Sequence, residues 1–69
     1  MDKIMELRDK RVKLWEAAKN FLDSHTDEDG KLTAEDAAAY EKMEADVVEM
    51  KKAIDRLERQ AAIDRELDK

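Results

Sequence analysis

Apolar residues recur along the second half of the chain with one strict spacing. Tyr40, Met43, Val47, Met50, Ile54, Leu57 and Ala61 are separated by 3, 4, 3, 4, 3 and 4 residues. That is an unbroken a/d seam over three heptads, the period that keeps one helix face turned toward a partner helix. The start of this helix is also legible. Thr33 is a good N-cap, Asp36 stands at N3 in a variant of the capping box, and Leu32 is placed to staple onto Ala37. Glu35 and Asp36 put negative charge in the first turn, where the helix dipole favours it. The pattern predicts a helix over 34–67, roughly 50 Å long at 1.5 Å per residue.

The first half repeats the pattern less strictly. Ile4, Leu7, Leu14, Ala18 and Phe21 fit a and d positions, while Trp15 and Leu22 widen the apolar face. Arg11 interrupts the seam at an a position. Two readings fit it: a polar a residue that sets register, or a long stem that lies on the seam and carries its charge outward. The second is preferred, because the sequence shows no buried partner for it. A helix is expected over about 3–23, a loop over about 24–33, and an antiparallel hairpin as the result. The fold class is therefore all-α: a two-helix coiled-coil hairpin with a longer second helix.

The unequal lengths leave about the last dozen residues overhanging, and these still carry Leu57, Ala61, Ile63 and Leu67. A two-helix hairpin also lacks a second layer to cover its other apolar edge. Chains of 69 residues bury a small fraction of their surface and commonly need an oligomer or a staple. The sequence has no cysteine, so a disulfide is not available. An oligomeric helical bundle, or packing against the rest of a longer polypeptide, is the expected completion.

Composition narrows the function classes. Charged residues make up 48% of the chain and aromatics 4%, with no proline, as in long solvated helices and coiled coils. The net charge of −5 is unevenly placed: residues 23–49 carry two basic and ten acidic side chains, while both ends are nearly balanced. This argues against a nucleic-acid partner, which requires a concentrated basic face. No apolar run approaches the roughly 20 residues that span a bilayer, so no membrane partner is expected. The charged N-terminus does not read as a signal peptide.

The stretch "SHTDEDGKLTAED", Ser24 to Asp36, looks like part of a calcium-binding loop. With Gly30 in the place of the loop's glycine, Asp27, Asp29 and Asp36 become candidate ligands. Two departures count against a hard cation. His25 offers nitrogen at the first position, and Asp36 is one methylene shorter than the bidentate glutamate expected at the last. Turn chemistry accounts for the same residues without a metal: Gly30 supplies positive φ, Asp27 and Asp29 favour turns, and Thr33 caps. The preferred reading is a corner. No catalytic constellation is present, since His25 is the sole histidine and no base and orienter accompany it. No enzyme activity and no cofactor are expected.

The segments "LRDKRVKLWEAAKNFLD" and "DGKLTAEDAAAYEKMEADVVEMKKAIDRLERQAAIDREL" together resemble the N-terminal delta, or scaffolding, domain of tailed-phage and prophage major capsid proteins. The resemblance covers essentially the whole chain and rests on the order and spacing of its pieces. It implies a segment preceding a larger shell domain, hence a fragment of a longer capsid protein. It also implies a role in procapsid assembly in the host cytoplasm, with removal by a maturation protease. The partners implied are other copies of the chain, the shell domain of the same polypeptide and that protease. No catalytic or metal residue carries over. Leu7, Leu14, Trp15, Phe21, Tyr40, Met43, Val47, Ile54 and Leu57 match the family's apolar positions. With Met50 and Ile63 they form the candidate interaction seam. The competing expectations are a stand-alone coiled-coil adaptor that binds another protein's helix and a degenerate EF-hand-like hairpin. The resemblance does not decide which seam residues pack within one chain.

Overall fold

Asp2 starts the first helix. Its backbone is extended, and its Oδ1 accepts a hydrogen bond from the Ile4 N–H at 3.1 Å, satisfying one of the amides that a helix start leaves free. In the computed structural model, which describes residues 2–68, α1 spans Lys3–His25 and α2 spans Ala34–Leu67. The two lie antiparallel as a hairpin. No strand occurs among the described residues.

α1 runs two residues past the expected end at residue 23. The cause is local. The Ser24 hydroxyl donates to the Asn20 carbonyl, His25 Nδ1 lies 2.8 Å from the Phe21 carbonyl, and the Thr26 hydroxyl and N–H both reach the Leu22 carbonyl. Three consecutive side chains thus bond back onto carbonyls of the last turns, of which Leu22's is among those that a helix end exposes. The His25 ring also stacks on Phe21, with centroids 4.0 Å apart.

Gly30 turns the chain with φ +78°, a left-handed conformation that costs side-chain-bearing residues free energy. Thr33 then opens α2 as its N-cap, its hydroxyl oxygen accepting from the Asp36 N–H at 3.1 Å. With no glycine or proline to interrupt it, α2 continues for 34 residues against 23 in α1, so its last turns overhang. The molecule measures 59 × 19 × 15 Å, the length of α2 plus the loop and the cross-section of two helices side by side.

The core is a narrow stripe. Ala18, Val47 and Ile54 are the buried apolar residues among those described, and no polar side chain is buried with them. Ala18, wholly inaccessible, lets the helix backbones approach closely at its level. Ile4, Leu7, Phe21, Tyr40, Met43, Met50, Leu57 and Ala61 continue the stripe as half-buried residues. The preferred outward path for Arg11 is not what the structure has. Its Nε–H donates to the Val47 carbonyl of α2 at 2.9 Å, so the guanidinium crosses the seam rather than leaving it. That carbonyl has two lone pairs and can serve both its own helix and Arg11.

Truncation should separate the two parts of α2. Ile54→Ala should cost about 2–4 kcal/mol by loss of buried volume in the stripe. Ile63→Ala, on the exposed overhang, should stay within about 0.5 kcal/mol. Urea unfolding followed by helical circular dichroism measures both, and equal costs would contradict the assigned core.

Candidate functional site

The loop and one long face of the hairpin are the two places where unassigned chemistry collects. In the loop, Asp27 is occupied by the turn itself. Its Oδ1 accepts from the N–H groups of Asp29 and Lys31, both at 2.9 Å. Its own N–H donates to the Lys31 carbonyl at 2.9 Å, and the Gly30 N–H donates to its carbonyl at 3.0 Å. This is an Asx-type turn closed on both sides. Asp36 lies beyond it in the first turn of α2, with its N–H on Thr33. Among the described residues no group of three or more His, Cys, Asp or Glu side chains converges so as to hold a metal ion. Asp27, Asp29 and Asp36 are therefore not brought together as a ligand set.

The face is more informative. Between α1 and α2 lies an open groove of ≈ 790 Å³ whose apolar lining is Val12, Trp15 and Val48, with the buried Val47 and Ile54 at its floor. In heptad terms Trp15 is an e residue, and Val12 and Val48 are b residues, so the groove lies on the e side of both helices. In an antiparallel pair the e residues of one helix face those of the other. Arg8 and Glu58, both e residues, form an ion pair across this side. Helical side chains lean toward their own N-terminus, which in opposed helices brings Arg8 and Glu58 toward each other. Lys51 and Glu44 line the same groove.

The electrostatics along the face are local and solvated. Lys51 donates to Asp55 one turn on, and this hydrogen bond is the main reason the Asp55 carboxyl is held below its ordinary range. Partial desolvation opposes it, while the charges of Lys51, Arg59 and Arg11 add to it. Tyr40 is raised, first by desolvation and then by the Glu44 carboxylate that accepts its hydroxyl at 3.3 Å. Because the folded form of Asp55 holds its proton less tightly, its contribution is present above the unfolded carboxylate range. It is lost as pH falls through the folded value.

The sequence-derived seam divides by depth. Val47 and Ile54 are buried between the helices, and Leu7, Phe21, Tyr40, Met43, Met50 and Leu57 are half-buried beside them. Leu14 and Trp15 lie at the edge, each 37% exposed, and Ile63 is 51% exposed on the overhang. Val12 and Val48, 55% and 49% exposed, were outside the a/d template. The available signal was that each stands one residue after an a position, so the two valines border the seam on the same side. Comparison with protein-family models, with curated proteins and with solved structures returned no match.

Two measurements follow from this geometry. Asp27→Ala should cost about 1 kcal/mol by opening the turn, equally in EDTA and in about 1 mM calcium. A calcium-dependent difference in its unfolding midpoint would contradict a purely structural role. Asp55→Asn should lower stability at neutral pH and remove part of the loss seen on acidification below about pH 4. Parallel acid-unfolding curves for both proteins would contradict that assignment.

Proposed function

We propose that this chain is a scaffolding segment of a tailed-phage major capsid protein. It promotes procapsid assembly by weak coiled-coil self-association, tethered to the shell domain, and is later removed by a maturation protease. The observation that carries the reading is the ordered run of segments from "LRDKRVKLWE" to "IDRLERQ" that resembles the delta domain. The hairpin supports it physically. Ala18, Val47 and Ile54 make a thin core, and a groove with exposed apolar side chains remains on one face. Such a face gives weak, reversible contacts, and tethering many copies to one shell raises their effective concentration.

The charge distribution fits the same role. The ten acidic and two basic residues of 23–49 occupy the loop end of the hairpin. Many copies lining the inside of a shell in the host cytoplasm would repel DNA, whose charge they share. Proteolytic removal before packaging relieves that repulsion and frees volume. A second reading, a stand-alone adaptor, draws on the groove alone, since an open apolar channel between helices is a shape that accepts another protein's helix.

The coding frame and its product distinguish the two. A frame continuing past Lys69 into a long β-rich domain, whose expression yields shells, is the expected result. Deleting 3–67 from that polypeptide should then abolish ordered shells while leaving the shell domain folded. A stop codon after Lys69, or normal shells from the deleted protein, would overturn the scaffolding reading.

A further inference from the structure

The seam that the sequence offers for self-association is largely consumed inside one chain. Val47 and Ile54 pack against α1, and Arg11 closes on the Val47 carbonyl. Along the paired part of the helices, the apolar surface left for another copy is the e-side groove. We propose that two copies dock face to face through it, antiparallel, as a two-fold four-helix bundle with Glu44 of each copy opposite Lys51 of the other. This rests on the self-association part of the proposed function and assigns it a surface and a geometry.

The face is self-complementary. A two-fold contact requires one patch to match itself when reversed. Glu44 and Lys51 are both e residues on α2, one heptad apart, with Val48 between them. A two-fold axis perpendicular to the helices and midway between them sets acid on base twice. The heptad register of the seam, with Leu14 level with Val47, and the Arg11–Val47 bond give the matching level on α1. That level falls midway between Val12 and Trp15. The same axis therefore places Trp15 of one copy over Val12 of the other, and the converse. Glu44 and Lys51 have only solvated intrahelical partners, Tyr40 and Asp55, and neither is locked in the core.

The long-range field selects the same orientation. The acidic block lies at the loop end, so parallel docking would set two strongly negative tips side by side. Antiparallel docking separates them. It also lays each tip along the partner's 51–62 stretch, which holds Lys51, Lys52, Arg56 and Arg59 against Asp55 and Glu58.

The test is sedimentation equilibrium of the chain over about a hundredfold concentration range, with helicity checked by circular dichroism. The wild type should pass from one chain to two, and the fluorescence of Trp15, the sole tryptophan, should shift to the blue as it does. Glu44→Lys and Lys51→Glu should each weaken the dimer about tenfold, since each turns two attractive pairs into two repulsive ones. The double variant should return to within about threefold of wild type. A wild-type dimer indifferent to both single changes, or a double variant no better than the singles, would overturn this face while leaving self-association standing. A strict monomer throughout would overturn both. Val12→Lys, at an exposed position, should abolish the dimer without loss of helicity, and a persisting dimer there would also contradict the geometry.

Discussion

The hairpin depends on a thin apolar stripe in which two helices bury very little and still determine each other's register. Ala18 brings the backbones close near the loop end, while Val47 and Ile54 fill the space farther along α2, away from the loop. No disulfide supports this contact, and no polar group buried among the described residues fixes it. What sharpens the register is at the margins: Arg11 reaching across to the Val47 carbonyl and Arg8 pairing with Glu58. The Arg8–Glu58 pair is solvated and adds little energy on its own, but it disfavours slipped pairings of the same apolar stripe.

That marginal stripe links the local structure to the proposed role. A hairpin that satisfied all its apolar surface internally would have nothing to offer another copy. One with a wide exposed core would aggregate. Here the seam is spent within the chain and a bordering strip of Val12, Trp15 and Val48 is left over, framed by charges of both signs. The proposed weak, oriented association would draw on this small apolar patch and on the pairing of Glu44 with Lys51. The acidic loop end adds a long-range preference without adding contact area.

Much of the fold is legible in the residues because α2 is so regular. Its heptads and its Thr33 cap predict the span 34–67, and the structure has α2 there. α1 is read less completely for identifiable reasons. Asp2 caps it from a position that the apolar pattern does not reach, and Ser24, His25 and Thr26 extend its end by bonding backward, chemistry that resembles turn formation. The path of Arg11 is not legible in sequence, because a guanidinium's acceptor on another helix is invisible to a one-dimensional pattern. The groove is hidden in sequence for a related reason. An a/d template discards b residues, and only antiparallel pairing places Val12 and Val48 on the same side. The loop's acidic residues had two readings in sequence, and only the positions of the backbone N–H groups show Asp27 engaged by the turn.

The central claim is that the a/d seam closes within a single chain. Since the chain contains no cysteine, Lys10→Cys and Lys52→Cys can carry spin labels at two exposed positions without background. Electron–electron distance measurement on doubly labelled protein, diluted in unlabelled protein, reads the intramolecular separation alone. The hairpin predicts a distance of roughly 10–25 Å, set by helix packing plus the label arms and unchanged by dilution. A distance near the roughly 60 Å that a continuous helix would place between these residues would contradict it.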